Sequence, residues 1–291
     1  MTAPGRETPT EHLRALARRI APVVVEETAP RAILLVGSSA TGEADLYSDI
    51  DLIVYCDELP AVEQVDAVII RLGGSDRELI YPRTDDDHGE GFLLDDVECQ
   101  LAFTTVSAAE RELDRALGPD ELDSPLQKVV EGLLEGLPLL GEELLGAWRA
   151  RVTDYPDSLR RAMIERHWRF TPLWYTAQRL ESRDTYLWRR QILVQAAYDL
   201  LAVLSGLNRL YFAPFQPKRL RKITGRMRLA PPGLADRLER LFVLEGEETA
   251  LELERLIGET QALVEAELPG LELPPLRRPL GVRQAPFALD E

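Results

Sequence analysis

Two aspartates stand at alternate positions inside an apolar segment. Asp49 and Asp51 flank Ile50 in the stretch VGSSATGEADLYSDIDLIVY, residues 36–55. If residues 49–55 form a strand, both side chains point to one face of it, about 7 Å apart along the chain. Two carboxylates on one face repel each other and are costly to bury without a partner. A divalent, oxygen-seeking cation such as Mg²⁺ would relieve that repulsion, so the pair predicts a metal site.

Small polar residues around the pair favour a nucleotide as the ligand. Gly37 and Ser38 close the apolar run at 31–37. Glycine allows close backbone approach, and a short helix starting there would offer N–H groups to a phosphate. Ser48, directly before the first aspartate, adds a hydroxyl donor. We therefore expect Gly37, Ser38 and Ser48 to offer donors to a phosphate group.

A third carboxylate is needed if two metal ions are to clamp a phosphoryl group. Glu98, in the segment DDVECQLAF, alternates with apolar neighbours near the start of a later strand. Asp95 and Asp96 are nearby competitors, but their positions are more typical of a loop. Glu98 is therefore the predicted third metal ligand.

The elements that must position these residues lie before residue 107. Short apolar runs predict strands at 31–37, 49–55, 77–82 and 97–106, and helical spacing predicts helices at 11–27 and 61–74. Pro22 is expected to break or kink the first helix. The acidic stretch RTDDDHGEG, residues 83–91, is predicted to be a loop. Together these elements predict a small mixed sheet with helices on one side.

The chain after residue 107 has no strand pattern. Helices are predicted at 107–117, 124–149, 157–182, 184–206, 232–243 and 245–267. The proline-rich end is predicted to be an extended or mobile tail. The fold class is therefore α+β, with a small mixed-sheet domain (residues 1–106), an all-helical domain (107–275) and a tail (276–291).

The motif resembles a known superfamily. The glycine–serine pair, the serine before the first aspartate and the Asp-x-Asp spacing are similar to the signature of polymerase-β-like nucleotidyltransferases. Within that superfamily the chain is similar to aminoglycoside adenylyltransferases and to bacterial relatives with a helical second domain. The resemblance implies that Asp49, Asp51 and Glu98 hold Mg²⁺, two ions in all, and that ATP is the co-substrate. The acceptor does not transfer with the resemblance.

Two features of the helical half extend the hypothesis. Asp199 is the only charged residue between Gln191 and Asn208. It is a candidate general base, and the alternative is a structural hydrogen bond or a surface position; Glu98 is an equally serious candidate. The stretch 208–229 contains seven lysines and arginines and no acid. Lys218 in that stretch is predicted to bind the β- and γ-phosphates, against the alternative of a solvated basic helix face.

Composition limits the possible partners. The formal net charge is −16, which disfavours non-specific nucleic-acid binding and is compatible with a cationic substrate. No apolar run reaches the roughly 20 residues of a membrane helix, and the first residues lack the apolar core of a signal peptide. We expect a cytoplasmic protein with no membrane partner. The sequence leaves the oligomeric state open.

The leading hypothesis is a Mg²⁺-dependent nucleotidyltransferase, which moves AMP from ATP to a hydroxyl of a small, cationic acceptor such as an aminoglycoside. Two alternatives remain. One is a transferase that modifies a protein or extends an RNA end. The other is a non-catalytic relative that binds the nucleotide without turnover.

Overall fold

The computed structural model describes residues 7–122, 125–213 and 219–287. Within them the chain forms six strands: β1 (Ala32–Val36), β2 (Ile50–Cys56), β3 (Ser75–Tyr81), β4 (Asp87–Leu94), β5 (Val97–Thr105) and β6 (Leu137–Leu140). The helices up to residue 153 are α1 (Pro9–Thr28), α2 (Gly37–Thr41), α3 (Val62–Leu72), α4 (Val106–Ala116), α5 (Leu126–Glu135) and α6 (Glu142–Thr153). The later helices are α7 (Asp157–His167), α8 (Leu173–Glu181), α9 (Tyr186–Leu207), α10 (Leu220–Gly225), α11 (Leu234–Arg240) and α12 (Gly246–Glu267).

The chain divides into two compact units. The first unit contains Met1–Leu117 and Lys128–Asp154, and the second contains Gly118–Gln127 and Tyr155–Glu291. All six strands lie in the first unit, and the described part of the second unit is helical. The predicted α+β class is confirmed. The functional division at residues 106 and 275 stays a prediction.

The sheet is mixed, with the strand order β3-β4-β5-β2-β1-β6. The pair β2 and β5 is parallel, and the other neighbouring strands are antiparallel. On one face, residues such as Ile50, Leu52, Cys99 and Leu101 pack against α1 and α3 in a closed apolar core. The alternate residues of the same strands, Asp51 among them, therefore point to the opposite face.

Helices cover both faces of the sheet, so the prediction of helices on one side is wrong. Tyr55 of β2 lies on the Asp51 face, and the Trp148 ring of α6 packs edge-on against it with a centroid distance of 4.9 Å. The prediction missed α6 as a separate element because it treated residues 124–149 as one helix.

The stretch 124–149 is in fact two helices with β6 between them. Gly141 has φ +75°, and a Cβ there would lie 2.3 Å from the carbonyl oxygen of Arg31. Only glycine fits at that position. The close approach of Gly141 to Arg31 allows β6, directly before it, to pair with the edge of β1. The expectation that strands end at residue 107 is therefore wrong for 137–140.

The acidic stretch 83–91 is only partly a loop, because β4 begins at Asp87. Its side chains alternate as a strand requires, with His88 and Glu90 buried on the α3 side. Arg77 of β3 donates to both carboxylate oxygens of Glu90, at 2.8 and 2.9 Å. A buried polar strand of this kind has no apolar signal in the sequence.

Two helix predictions also need correction. α1 continues through Pro22 because apolar residues on both sides of it, including Leu16 and Val24, are packed in the core. The predicted helix at 157–182 is interrupted between α7 and α8, where Pro172 precedes the first residue of α8.

The segment after α12 packs on the second unit. The carbonyl oxygen of Pro279 accepts a hydrogen bond from Nε1 of Trp174, at 3.1 Å. The amide of Gln284 donates to the carbonyl oxygen of Tyr175, at 3.0 Å, and Arg283 pairs with Glu254 at 2.6 Å. These contacts tie residues 279–284 to α8 and α12.

Candidate active site

The turn after β1 brings backbone close to a carboxylate. β1 ends at Val36 and α2 begins at Gly37, which has φ +75°. A Cβ at Gly37 would lie 3.1 Å from Oδ2 of Asp51. A side chain at this position would be strained by the positive φ and would crowd that oxygen. Glycine is therefore required where the chain passes Asp51, and Ser38 follows at a half-buried position.

Strand register puts two of the three predicted carboxylates, Asp51 and Glu98, on one face. Asp51 pairs with Gln100 across the parallel β2–β5 ladder, and Ile50 pairs with Cys99. Because Cys99 points to the core, Glu98 points to the same face as Asp51. Asp49 lies one residue before β2 and is half-buried, whereas Glu98 is exposed.

Sharing a face does not bring these carboxylates together. Across the residues that the structure describes, no three His, Cys, Asp or Glu side chains are placed to hold a metal ion. The residue directly opposite Asp51 is Gln100, and Glu98 stands two positions earlier on β5. Sequence reasoning missed Gln100, since only the ladder register identifies it as the neighbour of Asp51.

The chemistry of this face nevertheless fits a hard divalent cation. Asp49, Asp51 and Glu98 offer only oxygen donors, which Mg²⁺ prefers. The space left by the missing side chain of Gly37, directly beside Oδ2 of Asp51, keeps that oxygen uncrowded. The metal-binding role of the three carboxylates stays a prediction.

Ser48 has a local structural contact. Its hydroxyl donates to Oδ1 of Asp45 at 3.1 Å and accepts from the amide of Asp45 at 3.0 Å. This pair closes the turn before β2, at whose tip Leu46 and Tyr47 are 88% and 98% exposed. A cavity of about 310 Å³ lies beside Ser48, between the start of α1 and Val97 of β5. The phosphate-binding role of Ser48 stays a prediction.

Asp199 is fully buried in the second unit, with 0% exposure. Its Oδ1 lies 2.9 Å from Nδ1 of His167, and its Oδ2 accepts from Nε2 of Gln195 at 3.0 Å. The guanidinium Nε of Arg169 is 3.6 Å from Oδ1. These contacts favour the structural interpretation that the sequence left open, and the role of Asp199 as a base stays a prediction.

Lys218 lies outside the described residues. The described parts of the basic stretch contain arginines that already have carboxylate partners. Arg221 pairs with Asp236 and with Glu239, each at 2.9 Å, and Arg209 pairs with Asp157 at 2.6 Å. Ion pairing on the surface thus accounts for these two arginines.

Comparison with known proteins defines the class. Residues 17–96, which contain β1, β2 and both aspartates, match the model of the family described as "Nucleotidyltransferase domain". A domain of this class belongs to an enzyme and takes a nucleoside triphosphate as substrate. No curated protein matches the sequence.

Two solved structures are similar in part. A nucleotidyltransferase-like protein from Exiguobacterium sibiricum shares 12% identity, with a TM-score of 0.43 over 86% of this chain and 75% of that chain. A cytoplasmic RNA terminal U-transferase shares 16% identity, with a TM-score of 0.31 over 67% of this chain and 48% of that chain. Likenesses this distant carry no argument about substrate. None of the described helices is both long and apolar enough to cross a membrane.

Proposed function

We propose that the protein is a Mg²⁺-dependent nucleotidyltransferase, which moves AMP from ATP to a hydroxyl of a small acceptor and releases pyrophosphate. The observation that carries this proposal is the close approach of Gly37 to Oδ2 of Asp51, at the end of β1 in the matched domain. Glu98 lies on the same face of the sheet as Asp51, and Asp49 directly precedes β2. The proposal assigns catalysis to residues 1–106. It assigns binding of the substrate and closure over the nucleotide to residues 107–275.

In the proposed reaction the acceptor oxygen attacks the α-phosphorus of ATP. A bond forms between these two atoms, and the bond from the α-phosphorus to the oxygen bridging to the β-phosphorus breaks. The acceptor proton passes to a carboxylate, and exposed Glu98 suits this better than buried Asp199. Ser38 and Ser48 orient the phosphates, and Lys218 steadies the departing pyrophosphate.

Magnesium, when bound by Asp49, Asp51 and Glu98, would neutralise the charge that develops on the phosphate oxygens. The protein's own contribution is the placement of these acids. Asp51 is fixed by its ladder positions opposite Val36 and Gln100, so its carboxylate is held in place before the nucleotide arrives.

The acceptor is proposed to be a small hydroxylated cation such as an aminoglycoside. The formal net charge of −16 favours the approach of a cation and disfavours a long nucleic-acid acceptor. Transfer to a protein or an RNA end and binding without turnover are therefore the less favoured outcomes.

The test is calorimetric binding of a non-hydrolysable ATP analogue, with and without Mg²⁺, to the wild type and to Asp49→Asn/Asp51→Asn. The control is Asp57→Asn/Glu58→Gln, which removes two charges from exposed positions just after β2. We expect Mg²⁺-dependent binding that only the first double variant weakens, by at least about tenfold. A folded wild type that binds no nucleoside triphosphate would refute the proposal. Binding without pyrophosphate release across an acceptor panel would favour the non-catalytic alternative.

A further inference from the structure

The sheet face that carries Asp51 continues into a second polar region at the far ends of the strands. Thr104 of β5 pairs with Tyr55 of β2 on one side and with Asp87 of β4 on the other. The three side chains therefore share the face of Asp51. The ring of Tyr81 covers Gly89 in the next row, since a Cβ at Gly89 would lie 2.4 Å from it.

Glu112 of α4 reaches this region from above the sheet. It is half-buried, and its pKa is raised by burial and, next, by the negative charge of Asp87. Burial and then the charge of Glu112 raise the pKa of Tyr55, and burial, Asp87 and then Glu112 raise that of Tyr81 to about 12. The helix α4, which carries Glu112, directly follows β5 and packs against β5 and β2, so its position agrees with these effects.

Within residues 7–122, 125–213 and 219–287, no lysine or arginine forms an ion pair with the carboxylate of Glu112 or Asp87, although Arg115 and Arg111 act on Glu112 through their charges. Arg111 instead donates a hydrogen bond to Asp86, the residue directly before Asp87, at 2.6 Å. Arg115 and Arg111 lower the pKa of Glu112 less than burial and Asp87 raise it, since the net shift is upward.

This arrangement differs from the other buried carboxylates of the chain. Glu90 on the opposite face receives two hydrogen bonds from Arg77, and Glu252 in the second unit receives one from Arg237 at 2.6 Å. A half-buried pair of like charges without such a partner is unfavourable in the free protein. Binding of a cation would relieve it.

A buried hydroxyl also lies in the row next to Asp87. Thr104 is 9% exposed, and its Oγ1 has no hydrogen-bond partner within the described part of the chain. Buried hydroxyl groups are normally hydrogen-bonded. Its position in the row between Tyr55 and Asp87 makes Thr104 a third acceptor beside the two carboxylates.

We infer that Glu112, Asp87 and Thr104 form a binding subsite for a primary ammonium group of an organic substrate. Three acceptors match the three N–H donors of an ammonium group, and the ring of Tyr81 offers a face for a cation. A metal ion fits less well, because no three acidic, His or Cys side chains converge among the described residues.

The assignment of this subsite to the acceptor rests on the proposed function. Tyr55 lies four residues beyond Asp51 along β2, a separation of about 13 Å. An acceptor with its ammonium group at Thr104 and a hydroxyl near Asp51 would therefore have the length of an amino-sugar oligosaccharide. A polyamine carries the same ammonium group without a hydroxyl, so it can occupy the subsite but cannot accept AMP on oxygen.

The test is calorimetric binding to the full chain without nucleotide, in about 0.15 M salt to screen the net charge. The probes are kanamycin, an amino sugar, and spermidine, a polyamine; maltotriose and 1,8-octanediol are the neutral controls. The variants are Glu112→Gln and Thr104→Val, and the matched control is Glu63→Gln, an exposed position on α3 against the other face of the sheet. Thermal unfolding verifies that each variant is folded.

We expect at least one cationic probe to bind the wild type, and neither neutral probe to do so. Glu112→Gln should weaken that binding about tenfold and Thr104→Val several-fold, with no change for Glu63→Gln. No cation binding by the wild type, or equal binding by all variants, would overturn the inference. Because no nucleotide is present, such a result leaves the ATP-analogue experiment as a separate test of the proposed function.

Discussion

Gly37 and Asp51 are a matched pair: the positive φ of the glycine turns the chain past the carboxylate, and a side chain at position 37 would place its Cβ 3.1 Å from Oδ2 of Asp51. The two residues lie 14 positions apart in the sequence. They meet because Val36, directly before Gly37, pairs with Asp51 across the β1–β2 ladder. The turn and the aspartate therefore depend on each other, and a change at the glycine should be felt at the carboxylate.

Replacing Gly37 with alanine should affect stability and binding together. The φ of +75° is unfavourable for alanine by about 1–2 kcal/mol, and the added methyl group crowds Asp51. We expect the free energy of unfolding to fall by that amount and binding of an ATP analogue to weaken. The matched control is Gly146→Ala, at a helix position with nothing within 4 Å, which should be neutral or stabilise by up to about 1 kcal/mol. Equal effects of the two variants would contradict the prediction.

The sequence was informative where local pattern and tertiary structure agree. β1, β2 and β5 were predicted close to their observed bounds, because their apolar residues alternate or run continuously, and β1 and β2 end before a glycine or a charged residue. The turn at Gly37 and the placement of Asp51 followed from that pattern. These elements carry most of the candidate site.

The features that could not be predicted from the sequence depend on pairing between residues far apart in the chain. β6 is four residues long and exists because the edge of β1 is available to pair with it, so its own pattern is too short to be distinctive. β4 contains His88 and Glu90 in a buried strand, which only the guanidinium of Arg77 makes tolerable. The acidic region around Glu112 likewise depends on the register of β4 and β5.

Removing Arg77 should destabilise the first unit. Glu90 is 5% exposed, and without its bidentate partner its charge would be left buried beside His88. We expect Arg77→Met to lower the free energy of unfolding by about 3 kcal/mol, as measured by urea denaturation. Arg31→Met is the matched control, because its ion pair with Asp57 is solvent-exposed and should contribute less than about 1 kcal/mol. If both variants lose the same stability, the buried pair does not have the assigned role.

The stability of the protein should depend on pH through Glu112. Burial and then Asp87 raise the pKa of Glu112, so the folded state binds this proton more readily than the unfolded chain does. Stability is therefore lost as the pH rises from the unfolded pKa through the folded pKa. Glu112→Gln lacks this loss, and its stability relative to the wild type should increase between about pH 4 and pH 7. Denaturation at both pH values measures the change, and an unchanged difference would contradict it. Glu63→Gln should show no such increase.

Substitution of Asp199 separates a structural role from a catalytic one. The side chain is fully buried and contacts buried His167 and exposed Gln195, so Asp199→Ala removes a buried partner of His167 and a hydrogen-bond acceptor of Gln195. We expect the free energy of unfolding to fall by about 3 kcal/mol. Asp199→Asn should lose less, since the amide keeps an oxygen for Gln195, and binding of an ATP analogue should persist in both variants.

The catalytic alternative predicts a different pattern. A general base contributes about 100-fold or more to the rate, and its amide analogue cannot accept the proton. Pyrophosphate release by Asp199→Asn would then fall at least about 100-fold while stability stayed close to that of the wild type. Glu98→Gln is the comparison, because Glu98 is exposed on the face of Asp51 and is not expected to contribute to stability. A large rate loss only in Asp199→Asn would assign the proton transfer to Asp199. A loss only in Glu98→Gln would assign it to Glu98, provided that Mg²⁺-dependent binding of the ATP analogue is unchanged in that variant.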